Sequence, residues 1–314
     1  MKFLTAILFT TTIVATMNAS ADDVEGVLVL AHGSMMHLRG DFPRDKSQCQ
    51  IVKEHQTTNS SEHKWENAIC AVVEEVNKIK KAAIPVEAAF GMTEVESFQH
   101  GVDRLVSSGM TKLRIIPLYI STYSGVIRQQ KEIFGITKFR GDHQHDKVVY
   151  PKAVTKVIYE NALDDAIELS RVLLQRAKEL SRYPQIEELI LVGHGPVSYE
   201  DDAMWVRNFD IHNQRIQDEL RKTNAHFNTV HAITVQDDAP NDVREAKTRA
   251  LRQLVAQATQ RGHRALILPV LIAPGSIENG ILERLRGLNF DYVGHMLTPD
   301  PEMTTWIVNQ INRN

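Results

Sequence analysis

The chain has 314 residues, of which 43% are hydrophobic and 24% are charged, a composition typical of globular proteins. Its formal net charge is −3, which gives no electrostatic basis for binding nucleic acid. The length suits two domains of about 150 residues each, and each of them is large enough to bury its own core.

The first residues have the features of an export signal. Lys2 supplies a positive charge, residues 3–17 are mainly apolar, and an Ala-Ser-Ala sequence ending at Ala21 fits the cleavage pattern. The apolar stretch is short for a membrane span of about 20 residues. We expect a signal peptide at residues 1–21, cleavage after Ala21, a periplasmic location and no membrane span. A membrane anchor or a buried helix is the alternative.

An unbroken apolar strand that runs into His-Gly-Ser is the strongest single feature. Residues 25–31 predict a parallel strand buried on both faces, with His32 at its carboxyl end. Ligands of open α/β sheets bind at this end of the strands. The pattern returns at residues 187–196, where a second apolar strand runs into His194. The repetition predicts an internal duplication with His32 and His194 at corresponding positions.

A polar segment, residues 35–64, separates the first strand from the rest of its half. We expect a loop, either solvated or acting as a lid over the strand ends. It contains Cys49, and Cys70 lies in the helical pattern that follows. In an oxidising compartment the two cysteines can form a disulfide that attaches this segment to the body of the domain. We favour the disulfide, and free thiols acting as metal ligands are the alternative.

The remainder of the first half alternates between helix and strand. Apolar spacing predicts a helix over Trp65–Lys81, a strand over Ile84–Phe90, a second helix over Val95–Ser108 and a second strand over Leu113–Ile120. A polar turn at residues 121–125 and a further helix follow. Residues 141–146 are the expected linker, and His143, His145 and Asp146 in it form either a metal site or, as we favour, a solvated loop.

The second half repeats this order. We expect a long helix over Ala153–Leu180 and a solvated turn at residues 200–202 above Trp205. Apolar spacing also predicts the strands Leu189–Gly193, Thr229–Val235 and Ala265–Ile272, with a helix over Val243–Gln260 between the last two. Pro117 and Pro269 occupy the same place in the last strand of each half. Alternating strands and helices predict parallel sheets, within domains that we place at residues 22–148 and 149–314.

The duplicated strand-His-Gly elements and the proline-containing last strands resemble the class II chelatases. Within that superfamily the chain is most similar to the sirohydrochlorin cobaltochelatases and their exported, two-domain relatives. The resemblance extends from Val24 to Ile311, apart from the insertion at residues 35–64. It implies an α/β fold of two flavodoxin-like three-layer domains with a cleft between them. It also implies insertion of a divalent metal (Co²⁺, Ni²⁺ or Fe²⁺) into a tetrapyrrole such as sirohydrochlorin.

The resemblance also implies which residues bind the metal. His32 and His194 match the histidine of the family's His-Gly element in the two halves. Members of the family have a second histidine in the turn after the last strand, and this chain lacks it. Tyr123 stands near that place in the first half, where it could stack on the macrocycle, and Ser276 takes the place in the second half.

The family often has an acidic ligand after the middle strand, and this chain offers several nearby acids. Met92 occupies the matching position in the first half, with Glu94 two residues later, and the second half offers Asp237 and Asp238. These acids also suit turns and the first turns of helices, so a structural role is the alternative.

Two kinds of function fit these residues. In the enzyme hypothesis, His32 and His194 bind the metal with Asp238, and Glu94 or Asp237 assists in accepting pyrrole protons. In the alternative, the protein has lost the reaction and is a periplasmic carrier or sensor of metal or tetrapyrrole. A third and weaker hypothesis is a relic that acts only by binding a partner. The sequence does not determine the oligomeric state.

Overall fold

Two four-stranded sheets with the same strand order form the framework. The computed structural model describes residues 24–33, 42–56, 64–80, 84–138 and 146–313. The strands of the first sheet are β1 (Glu25–Ala31), β2 (Val86–Phe90), β3 (Lys112–Pro117) and β4 (Lys156–Tyr159). Those of the second are β5 (Glu187–Gly193), β6 (Thr229–Thr234), β7 (Arg264–Val270) and β8 (Asp291–Tyr292). Their orders are β2-β1-β3-β4 and β6-β5-β7-β8, and the neighbours pair in parallel.

Helices connect the strands, as parallel pairing requires. In the first half they are α1 (Gln48–Gln56), α2 (Lys64–Lys80), α3 (Val95–Ser107) and α4 (Gly125–Ile133). A joining helix, α5 (Ile167–Leu180), leads to the second half. There they are α6 (Tyr199–Arg221), α7 (Asn241–Gln260), α8 (Ser276–Arg284) and α9 (Pro301–Ile311). This arrangement confirms the predicted α/β class with two similar flavodoxin-like domains.

The central strand of each sheet is buried on both faces. In β1, Val27 and Val29 point into one cluster of buried side chains, and Leu28 and Leu30 point into another. The first of these clusters also contains residues of β5, so one apolar core lies between the two sheets. This shared core explains the continuous apolar runs in the sequence, because neither face of either strand meets water.

The predicted helix over Ala153–Leu180 is wrong in its first part. Residues 156–159 form β4 and pair with β3, and helix α5 begins only at Ile167. Three of the four strand residues are β-branched or aromatic, which suits a strand once an open sheet edge is available. We therefore propose that the boundary between the halves lies after β4 rather than at residue 148.

The polar segment 35–64 is not wholly a loop. Helix α1 lies within it, and a disulfide joins Cys49 on α1 to Cys70 on α2, which confirms the favoured pairing. The buried Gln48 side chain donates to the Ser97 carbonyl and accepts from the backbone N–H of Phe90. The insertion is thereby attached to the edge of the first sheet. Residues 34–41 and 57–63 lie outside the described part of the chain.

One further prediction from the sequence is wrong, and two others fall on residues that the structure does not describe. Residues 200–202 form the first turn of α6 rather than a solvated turn, because Ser198 caps the helix and Asp202 is buried. The predicted signal peptide and both histidines of the linker lie outside the described residues. None of the helices in the described ranges is long and apolar enough to cross a membrane.

Candidate functional site

The two His-Gly elements lie at the carboxyl ends of the central strands, as predicted. Each glycine passes so close to the neighbouring strand that a side chain would not fit. A Cβ on Gly33 would lie 2.8 Å from the Cβ of Phe90, and one on Gly195 would lie 2.6 Å from the Cβ of Thr234. Gly195 also has a φ of 80°, a conformation that favours glycine. The glycines therefore fix where the preceding histidine is presented.

The two imidazoles, His32 and His194, are close enough to influence one another. Neighbouring protein atoms partly displace water from each ring and so lower the pKa of both histidines, although His32 is exposed and the His194 side chain is 28% exposed. The negative charges of Glu94, Glu66 and Asp238 oppose this shift in the pKa of His32, whereas His194 reinforces it. Asp238 Oδ2 lies 3.3 Å from His194 Nε2. Both rings are therefore neutral near pH 7, which is the form that binds a metal ion.

Glu94 is placed beside His32 by a polar network from the first half. Gln130 is buried, and its Nε2 donates to the Met92 carbonyl at 3.1 Å and to the Tyr119 hydroxyl at 2.9 Å. Tyr119 in turn donates to the carbonyl of Gly91 at 2.9 Å. These bonds hold the loop after β2 in place. The negative charge of Glu94 on that loop therefore remains close enough to His32 to raise the pKa of its imidazole.

The two aspartates after β6 have different environments. Asp237 forms an ion pair with Arg284 on α8, so its charge is largely balanced. The side chain of Asp238 is 71% exposed and makes the contact with His194. Of the two, Asp238 is the better placed to contact a cation or to accept a proton. The predicted catalytic role of Asp237 stays a prediction.

A tryptophan from each half contacts the turn that follows β3 or β7 in the other half. The indole Nε1 of Trp205 donates to the Tyr123 carbonyl at 2.7 Å. The ring centroid of Trp65 lies 5.4 Å from that of His32. A Cβ on Gly275, the residue before Ser276, would lie 3.8 Å from the Trp65 ring. Ser276 is exposed and Tyr123 is 38% exposed, so both predicted contact residues are accessible.

A residue that the sequence did not indicate organises the turn around Tyr123. The Asp164 carboxylate accepts hydrogen bonds from the Ser121 hydroxyl at 3.0 Å and from the Thr122 backbone at 2.8 Å and hydroxyl at 2.7 Å. Asn208 of α6 adds a bond at 3.3 Å. Asp164 follows β4, and the incorrect helix prediction over this segment concealed its role.

The structure contains no preformed metal site with three protein ligands in the ranges that it describes. There, no group of three His, Cys, Asp or Glu side chains has an arrangement that could hold a metal ion. The predicted set of His32, His194 and Asp238 therefore does not form a closed site.

Two residues near His32 were not predicted from the sequence to belong to the site. Trp65 and Glu66 lie in the first turn of α2 and against the first His-Gly element. The ring of Trp65 packs on His32, and a Cβ on Gly33 would lie 3.1 Å from Glu66 Oε1. Glu66 is fully buried. The burial of an acid in the first turn of a helix cannot be distinguished by sequence from a favourable surface charge.

Comparison with solved structures identifies the fold. The chain is similar to SirB from Bacillus subtilis with Fe³⁺, at 17% identity and a TM-score of 0.57, with 92% of this chain and 94% of that chain covered. It is also similar to the sirohydrochlorin chelatase SirB from Bacillus subtilis subspecies spizizenii in complex with cobalt, at 13% identity and a TM-score of 0.56, with the same coverage. No protein-family profile matches the sequence, and neither does any curated protein. The comparison confirms a chelatase-like fold.

Proposed function

We propose that the protein handles a divalent metal and a tetrapyrrole, and that it inserts the metal into the macrocycle. The observation that carries the proposal is the pair of imidazoles, His32 and His194, each directly before a glycine at the carboxyl end of a central strand, with Asp238 Oδ2 3.3 Å from His194 Nε2 and Glu94 near enough to His32 to affect its pKa. Imidazole nitrogen suits cobalt, nickel and iron. The fold is that of proteins whose structures were obtained with Fe³⁺ and with cobalt.

The residues suggest how the reaction would proceed. A metal ion held by one or two imidazoles, with water completing its shell, is bound weakly enough to be passed on. Insertion releases two pyrrole N–H protons, which need acceptors. The exposed Asp238 can take one proton, and Glu94 on the His32 side can take the other. Tyr123 and Ser276 would contact the macrocycle at the two turns.

A carrier or sensor is the second candidate, and the replacement of the second histidine favours it. Tyr123 and Ser276 occupy the turns where the family has this ligand, and its replacement in both halves fits a protein that kept the cleft and lost the insertion reaction. We also propose that the protein acts in the periplasm after removal of residues 1–21. The disulfide between Cys49 and Cys70 supports an oxidising compartment.

The experiment that separates the two candidates is a spectroscopic titration with metal and sirohydrochlorin. The purified protein is mixed with Co²⁺, Ni²⁺ or Fe²⁺ under anaerobic conditions, and the absorbance of the metallated macrocycle is followed. Product beyond one equivalent per protein supports the chelatase. A stable spectral change that stops at one equivalent supports the carrier, and the absence of any binding refutes both.

Single variants test the histidines. We expect His32→Ala and His194→Ala each to reduce metal binding at least tenfold, while His226→Ala leaves it unchanged, because His226 is an exposed histidine away from both His-Gly elements. Wild-type affinity in both site variants would remove the basis of the proposal.

A further inference from the structure

One side of helix α6 carries side chains whose polar groups reach the other half of the protein. They are Asp201, Trp205, Asn208 and His212, and the intervals between them are four, three and four residues. Side chains at such intervals lie on one side of a helix. Each of the four contacts the first half or the segment that follows β4, and we refer to them as the α6 row.

Two members of the α6 row contact the turn that contains Tyr123 and the helix that follows it. The Asp201 carboxylate forms an ion pair with Arg128 of α4, whose two terminal guanidinium nitrogens donate at 2.7 and 3.1 Å. One turn further along α6, the Trp205 indole donates to the Tyr123 carbonyl at 2.7 Å. The main chain of this turn is therefore bonded directly to the second half.

The other two members of the row contact Asp164, which bonds in both directions. Asn208 Nδ2 donates to Asp164 Oδ1 at 3.3 Å, and His212 Nε2 lies 2.9 Å from the Asp164 carbonyl. On the side of the turn, the Asp164 carboxylate accepts from the Ser121 hydroxyl at 3.0 Å and from the N–H and hydroxyl of Thr122 at 2.8 and 2.7 Å. Asp164 therefore connects the α6 row to the turn.

The backbone of Asp164 and the two hydroxyls that it holds fit this connection. Its φ is 42°, in the left-handed region, which asparagine and aspartate adopt most readily among residues other than glycine. The Ser121 hydroxyl also accepts from the N–H of Tyr123 at 3.2 Å, and that of Thr122 accepts from the N–H of Ala162 at 2.9 Å. Without the carboxylate, both hydroxyls lose the acceptor that orients them, and Tyr123 loses part of its support.

The same helix continues from the segment after the second histidine. Helix α6 begins at Tyr199, five residues after His194, and the Ser198 hydroxyl caps it by accepting from the N–H of Asp201 at 3.1 Å. One helix thus runs from the segment after His194 to the residues that hold the Tyr123 turn. The His194 element of one half and the turn of the other therefore keep a fixed relation in the ligand-free protein.

We propose that Asp164 is a positioning residue for tetrapyrrole binding: together with the α6 row, it holds the Tyr123 turn in a fixed position relative to the His194 element. A rigid, flat ligand that contacts both halves needs them in place before it binds, because ordering a loop on binding costs free energy. Asp164 acts through the turn rather than by touching the ligand. The inference rests on the proposed function for its ligand, whereas the position of the turn is tested without any ligand.

NMR of the ligand-free protein tests the position of the turn. The chain has three tryptophans, and the indole N–H resonance of Trp205 reports its bond to the Tyr123 carbonyl. Asp164→Asn keeps the shape of the side chain and tolerates the left-handed φ, but one of its two oxygens becomes an NH₂ group that cannot accept. We expect this variant to move the Trp205 resonance towards that of an unbonded indole, while the resonance of the buried Trp306 stays in place. An unmoved Trp205 resonance would overturn the proposal.

Asp165→Asn is the matched control. The Asp165 side chain is 57% exposed and lies 3.8 Å from the Arg215 guanidinium, so its charge is removed without changing a bond to the turn. We expect all three indole resonances to keep their wild-type positions in this variant. A shift of the Trp205 resonance as large as that in Asp164→Asn would show that any change of charge in this segment moves it, and the proposal would fail.

Titration with metal-free sirohydrochlorin, followed by absorbance, tests the consequence for binding. We expect Asp164→Asn to weaken binding about tenfold, as the loss of a hydrogen bond to a charged group predicts, and Asp165→Asn to change it less than about twofold. Calorimetric titration with Co²⁺ alone should give the wild-type affinity in both variants, because neither His32 nor His194 lies on the turn. Equal losses of affinity for sirohydrochlorin and Co²⁺ would indicate a general structural defect and refute the positioning role.

The outcomes distinguish this inference from the function on which it rests. If the wild type binds no sirohydrochlorin, the tetrapyrrole-binding function fails, and the indole resonances still decide whether Asp164 fixes the turn. If sirohydrochlorin binds equally well to the wild type and to Asp164→Asn, the function stands and the positioning role is refuted. Thermal melts check that each variant is folded. Thr122→Val, which removes the hydroxyl donor to Asp164 Oδ2, replaces Asp164→Asn if the latter does not fold, with the same expected results.

Discussion

Among the described histidines, His212 of α6, which lies between the two halves, has a pKa low enough to affect stability measurably. It is fully buried; its Nε2 lies 2.9 Å from the Asp164 carbonyl and its Nδ1 lies 2.7 Å from the Ser170 hydroxyl. Because a carbonyl only accepts, the ring carries its proton on Nε2, and Nδ1 accepts from Ser170. The Ser170 oxygen accepts a further bond from Arg215 at 3.2 Å. This site therefore fits a neutral imidazole.

Protonation of this ring works against folding. Burial lowers the pKa of His212 from its ordinary value of 6.5 to about 4, and the positive charge of Arg215 contributes in the same direction. Between these two values the unfolded chain binds a proton that the folded chain rejects. Stability is therefore fully present above pH 6.5 and falls as the pH decreases towards 4. The loss amounts to about 3 kcal/mol, a substantial part of the stability of a typical domain.

Urea denaturation between pH 7.5 and pH 4 tests this reasoning. His212→Gln keeps a donor and an acceptor but does not titrate. We expect it to be less stable than the wild type at pH 7.5, and the difference between the two proteins to shrink by about 3 kcal/mol as the pH reaches 4. His226→Gln, at an exposed position of the same half, should retain the wild-type pH dependence. A constant difference between wild type and His212→Gln across this range would refute the argument.

Three further predictions concern other parts of the fold. Burial alone would raise the pKa of Glu188, but hydrogen bonds from an arginine and two histidines lower it to about 2. The stability that it contributes is present above pH 4.5 and is lost as the pH falls towards 2, so Glu188→Gln should flatten acid unfolding in that range when followed by circular dichroism. Replacing Cys49 and Cys70 by alanine should lower the unfolding free energy by about 3 kcal/mol, since the bridge spans 21 residues, and an unchanged urea midpoint would contradict this. Trp205→Phe removes the donor to the Tyr123 carbonyl and should cost about 1–3 kcal/mol in thermal melts; a melting temperature equal to that of the wild type would show that water replaces the bond.

The sequence alone determined the architecture, because the spacing of apolar residues and the length of each apolar run are local properties of the chain. The buried runs before His32 and His194 specify strands covered on both faces, and their repetition specifies the duplication. The same local rule failed for β4, whose residues Lys156–Tyr159 also fit a helical stripe. Only the open edge of β3 decides that they pair as a strand. Helix α1 was missed for a related reason, since its stability depends on a disulfide and on packing.

For the site, the sequence by itself could place His32 and His194 at strand ends, because the glycine that follows each one is part of the same local motif. It could not determine which charges surround them. In sequence Glu66 lies in the first turn of a predicted helix and Asp202 in a predicted solvated turn, and neither position indicates burial. Tertiary packing buries both carboxylates, pairs Asp202 with Lys247 and places Glu66 against Gly33, the residue after His32. Electrostatic environment depends on neighbours that are distant along the chain, and only the folded structure supplies them.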